Sequence, residues 1–179
     1  MEDIKTEINE EIGKEESLIK KGIIALVAIF IIGLMLSYVF VVYPIGDIIK
    51  GRIESSQIKN EVIDLGNFSI FFENQTYSNI KKMYFDEQKT EFSMCLLGTK
   101  ENDFYYVKSF YVPETYSKTF SQVSFKSCSQ DTIILLHTHP YKSCIASEQD
   151  IQTLNETKKD NPNALMVIMC EPERFSVYS

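Results

Sequence analysis

The chain has 179 residues, a formal net charge of −7 and a pI near 4.9. That acidity argues against a nucleic-acid partner, and there is no basic stripe, Gly-rich phosphate loop or zinc-finger spacing to oppose the argument. About 120 residues follow the N-terminal region, room for one ordinary domain with a single core.

Residues 1–21 form a short acidic tail. Ile4, Ile8 and Ile12 fall at i, i+4 spacing, which reads as a short amphipathic helix or a solvated tail. Residues 22–43, Gly22 to Tyr43, carry no charge and are almost wholly apolar, long enough to span the roughly 30 Å of a bilayer's hydrocarbon. The stretch exceeds a usual signal-peptide core and no small-x-small cleavage site follows it, so a retained signal anchor is the expectation. Pro44 would end the helix. Positive charges tie across the segment, with Lys14, Lys20 and Lys21 before it and Lys50, Arg52 and Lys59 after it. Lys20 and Lys21 lie closest to the membrane, which leans toward an inside N-terminus and an extracytoplasmic domain. Sequons at Asn67, Asn74 and Asn155 point the same way.

Residues 44–57, with Gly51 and Ser55-Ser56, read as a linker, and 58–179 as the domain. Within it the pattern is α/β. Strands are expected at Asn67–Phe72, Phe92–Gly98 and Phe104–Val112, with a helix at Tyr77–Lys89 and a turn through Glu101-Asn102-Asp103. Pro113–Asp131 reads as irregular chain that could cover an active site. Thr132–His137 is a buried strand, Ser147–Lys159 a helix stopped by Asn161-Pro162, and Ala164–Cys170 with Arg174–Tyr178 a closing hairpin.

The two histidines of the chain, His137 and His139, stand two apart at the end of an apolar strand and so project from the same face. Ser147 follows eight residues after His139, and Asp150 three later, giving H-x-H-x7-S-x-x-D. Two imidazoles and a carboxylate are the ligand set of a catalytic zinc that keeps a position open for water, lowering that water's pKa toward about 7. Taken alone, Ser147 is a good helix N-cap and Asp150 a first-turn acid facing the helix dipole. Four cysteines, Cys95, Cys128, Cys144 and Cys170, show no C-x-x-C pair. Cys144, beside the motif, reads as a disulfide partner of Cys128, an inhibitory thiolate or a free thiol.

The run His137-Thr138-His139-Pro140 with Ser147 and Asp150 resembles the JAMM signature of JAB/MPN-domain metalloproteases. Glu91-Phe-Ser-Met-Cys-Leu96-Leu97-Gly98 is similar to that family's upstream E-x-x-x-x-L-x-G segment. The resemblance covers about Ile58 to Ser179. It implies a single JAB/MPN-like (cytidine-deaminase-like) fold, a central sheet flanked by helices. It also implies one zinc per chain on His137, His139 and Asp150, with Glu91 as general acid/base and Ser147 as oxyanion stabiliser. The activity implied is hydrolysis of a peptide or isopeptide bond, with ubiquitin-like conjugates as the family's characteristic substrates. Two alternatives stay open: a non-catalytic interaction scaffold of the same fold at the membrane, and a zinc hydrolase acting on another amide such as an envelope peptide.

Overall fold

The computed structural model describes residues 2–43, 45–73, 75–87, 90–118, 123–139 and 143–179, with side chains described from residue 19 onward, Lys118 and Val123 excepted. Pro44, the sequon Asn74 and Pro140 lie outside the described residues. The chain divides into two compact units, residues 1–45 and 46–179.

The first unit is one unbroken helix, α1 (Glu2–Val42), so the acidic tail and the apolar segment are continuous. Its Ile19–Val42 portion is long and apolar enough to cross a membrane, and every residue there is exposed.

The second unit is mixed α and β. Its elements are α2 (Ile45–Glu54), β1 (Ser56–Gln57), β2 (Val62–Asp64), β3 (Ser69–Phe72), α3 (Thr76–Asp86), β4 (Ser93–Glu101), β5 (Phe104–Tyr111), β6 (Thr115–Lys118), β7 (Val123–Phe125), β8 (Thr132–Thr138), α4 (Glu148–Asp160), β9 (Leu165–Glu171) and β10 (Arg174–Tyr178). Eight strands form one sheet in the order β1-β10-β9-β8-β4-β5-β3-β2, and its two outermost strands approach one another, so the sheet nearly closes. β6 and β7 pair separately as a hairpin.

Three expectations need correction. Residues 45–57, read as a linker, form α2 and β1 instead, and β1 pairs with β10. Residues 113–131, read as irregular, contain the β6–β7 hairpin. Cys144 neither pairs with Cys128 nor is a free thiol, for the bridges are Cys95–Cys128 and Cys144–Cys170.

β8 is buried along its whole length, with β4 antiparallel on one side and β9 parallel on the other. A strand buried on both faces must be apolar on both, and Ile133 to Leu136 are. Ile134 and Leu136 join the larger core with Leu96, Val167 and Ile80 of α3. Leu135 faces the opposite way, into a smaller core with Met166, Ile168 and Leu154 of α4. The two helices therefore cover opposite faces. By alternation, His137 and His139 continue the face of Leu135, beneath α4.

Gly98 is required where it stands. A Cβ there would sit 1.8 Å from the Tyr106 carbonyl oxygen and 2.9 Å from Ile133 Cδ1. The position lies at bulges that interrupt the pairing of β4 with both neighbours.

Candidate metal centre

Strand register brings the site together before any side chain is considered. Ser93 lies opposite His137 and Met94 opposite Leu136. Continuing that antiparallel register places Glu91 opposite His139. The pairing does run on past β4, since the Thr138 amide donates to the Phe92 carbonyl at 3.1 Å. The Phe92 amide in turn donates to the Thr138 hydroxyl at 3.1 Å. Directly opposed residues share a face, so Glu91, Ser93, His137 and His139 all project toward α4.

α4 supplies the remaining residues. Ser147 is its N-cap, in extended conformation, and Ser147 and Asp150 form a reciprocal capping box. The Asp150 amide donates to Ser147 Oγ at 3.2 Å, while the Ser147 amide and hydroxyl each donate to Asp150 Oδ2 at 2.8 Å. At its other end, Asn161 Nδ2 donates to the Thr132 carbonyl at the start of β8. The helix is thus fastened to both ends of the ligand strand.

The three ligand candidates meet. His137 Nδ1 lies 2.7 Å from Asp150 Oδ1, and His139 Nε2 lies 3.1 Å from Asp150 Oδ2. His137 and Asp150 are buried. Burial alone would push the Asp150 carboxyl up; the two imidazoles outweigh it and hold that carboxyl well below the usual carboxylate range. Burial likewise disfavours the charged His139 ring. Its hydrogen bond and charge interaction with Asp150, the charge of Glu91 and a bond to the Ile145 backbone leave it raised. Burial pushes the half-buried Glu91 carboxyl up, with Asp150 adding to the rise and His139 and His137 opposing it. Glu91 therefore feels all three ligand candidates.

Among the described residues, no set of three or more His, Cys, Asp or Glu side chains is already spread round a common point as metal ligands are. Tetrahedral ligands about 2.0–2.1 Å from zinc stand about 3.3 Å apart, whereas here the carboxylate bonds directly to both rings. The donor set nevertheless fits: it holds two imidazoles and one carboxylate, and His137 Nε2 is buried with no hydrogen-bond partner among the described residues. A buried ring nitrogen left so is costly unless something else satisfies it.

The surroundings hold the site in place. Phe125 of β7 meets the His137 ring edge-on at 5.2 Å, so the hairpin reaches the site. From Phe125 a groove of about 330 Å³ runs between Cys128, Leu135, Thr153, Thr157 and Asn161 along α4. Both disulfides belong to this face of the sheet: Cys95 lies opposite Leu135, and Cys170 is two residues beyond Ile168. Tyr178 was missed in the sequence. Its hydroxyl accepts from the Ala146 amide at 3.0 Å and donates to the Cys144 carbonyl at 3.4 Å, fixing the loop that ends in Ser147. Tyr178→Phe should leave that amide unsatisfied and lower stability by about 1–2 kcal/mol. Thermal denaturation and faster hydrogen exchange at Ala146 would register it.

The sequence matches no protein-family model and no curated protein.

Proposed function

We propose that the chain is a membrane-anchored zinc hydrolase of JAMM type that cleaves a peptide or isopeptide bond. The observation that carries this reading is the convergence of His137, His139, Asp150 and Glu91 at one end of β4 and β8. Single residues of these types arise by chance, but their meeting on one face does not follow from packing needs. His137, His139 and Asp150 would hold the metal. When bound, zinc supplies Lewis acidity, polarising a carbonyl and acidifying water. Glu91, raised by burial and set beside the ligands, accepts the proton of the attacking water on its carboxylate and returns it to the leaving nitrogen. The Ser147 hydroxyl now donates to Asp150; to stabilise an oxyanion it would exchange that acceptor for the substrate oxygen. Phe125 offers an apolar face beside His137, and the largely polar groove along α4 would seat the substrate chain.

Two disulfides support placing the domain on the oxidising, extracytoplasmic side of the membrane. Asn67 and Asn155 are exposed there for modification. That side favours a peptide or envelope amide over a ubiquitin-like conjugate, whose pool is mainly cytosolic.

One observation favours the scaffold reading instead: Asp150 is already satisfied by both rings and by the Ser147 cap. Elemental analysis of the full chain in detergent, disulfides intact, separates the two. About one zinc per chain is expected, and its loss in His139→Ala. Glu91→Gln should keep the zinc yet lower turnover on a peptide library by about 10²-fold or more. Well-folded protein without zinc would overturn the enzyme reading; zinc without any hydrolysis would favour the scaffold.

A further inference from the structure

α2 carries an apolar stripe that its own unit does not use. Gly51 is buried, and a Cβ there would meet Cys144 Cβ at 2.8 Å and the Cys144 amide nitrogen at 3.0 Å. One face of α2 therefore lies flat on the loop that leads to Ser147. Residues two positions away sit about 200° round a helix. Ile49 and Ile53 thus point away from that seam, and they are 57% and 79% exposed. Being four apart, they stack on one face.

Single exposed isoleucines are ordinary, but this pair follows directly on a membrane-spanning segment. Val42 ends the apolar helix and Ile45 begins α2. Three residue steps reach at most about 11 Å. With α1 across the bilayer, the start of α2 is therefore held within about 11 Å of the end of the apolar helix, at or next to a headgroup layer about 5–8 Å deep.

We propose that α2 lies in the membrane–water interface, with Ile49 and Ile53 inserted at the boundary of headgroups and acyl chains. The occupant of the stripe is the bilayer that the preceding helix crosses. Asp47, Lys50, Arg52 and Glu54 cancel in charge, so insertion needs no anionic lipid and should occur on phosphatidylcholine. Because Gly51 presses on Cys144, the loop carrying Ser147 then stands about one helix diameter, ~10 Å, above the surface. Substrates would be cleaved close to the membrane. The inference rests on α1 spanning the membrane and not on the metal.

The chain has no tryptophan, so a single introduced one is a clean reporter. Ile49→Trp and Ile53→Trp, each in the full chain, would be reconstituted in phosphatidylcholine vesicles with and without acyl-chain bromination. Phe30→Trp reports the span, and Phe85→Trp, an exposed ring on α3, reports solvent. The expected result is blue-shifted emission at residues 49 and 53, quenched at least about twofold by bromine, with Phe85→Trp unaffected. If Phe30→Trp is quenched but residues 49 and 53 behave like Phe85→Trp, α2 is in water and the proposal fails. Blue-shifted emission that bromine leaves unchanged would mean a protein occupant, such as a second copy, and would also overturn it. Loss of quenching at Phe30→Trp itself would instead sink the membrane-spanning reading.

Discussion

Reducing both disulfides should unfold the 46–179 unit at ordinary temperature. Cys144–Cys170 closes a separation of 26 residues and Cys95–Cys128 one of 33. The chain-entropy relation gives each about 3.5 kcal/mol, against a total of about 5–15 kcal/mol for a domain. The bridges also act locally. Cys144 anchors the loop between His139 and Ser147 to β9, and Cys95 anchors β4 to the segment after Phe125. Each therefore ties a side of the candidate site to the sheet. Circular dichroism melts with and without dithiothreitol measure the effect. An unchanged melting temperature in chain proved to be reduced would show that the bridges are dispensable, and with them the oxidising-compartment argument.

Gly98→Ala should be nearly as damaging. Its Cβ would overlap a backbone carbonyl oxygen, not the end of a flexible side chain. Only movement of β5 away from β4 could relieve it, and these strands pair over most of their length. The expected cost is at least about 3 kcal/mol, lowering the melting temperature by roughly 10 °C or more. Gly46→Ala is the control: no described residue beyond its chain neighbours and its own helix lies within 4 Å of its added Cβ, and alanine at that helical position should be neutral or stabilising by up to about 1 kcal/mol. Equal melting temperatures for the two variants would contradict the close approach of β4 and β5.

Much of the site could be read from the chain because it rests on local spacing. His137 and His139 share a face through strand alternation alone, and Ser147 with Asp150 is a capping box whichever strand lies beneath it. The long strands around Met94, Tyr106 and Val167 are legible too: runs of apolar, aromatic or β-branched residues stand between clear turn signals. What escaped depends on contacts distant in sequence. β1 and β2, of two and three residues, are too short to show a period. α2 hides because Gly46 and Gly51 interrupt its pattern, yet Gly51 is there for its contact with Cys144. Four cysteines allow three connectivities, and spacing does not choose among them; the choice is made by which strands become neighbours. Tyr178 reads as an ordinary strand aromatic, and only the fold sets its hydroxyl beside Ala146.

The bulges at Leu96–Gly98 divide β4 into two lengths of independent parity. On the side of the site, residues 91–96 run against residues 134–139 without interruption. Inserting or deleting one residue between Ser93 and Leu96 would turn Glu91 and Ser93, and one between Ile134 and His137 would turn both imidazoles, to the opposite face of the sheet. Composition and hydrophobicity would be untouched, and the site would be gone. Beyond the bulge the same change would leave the four side chains facing one another. The identity of each functional residue is thus one requirement, and an exact count of the residues between them is a second, stricter one.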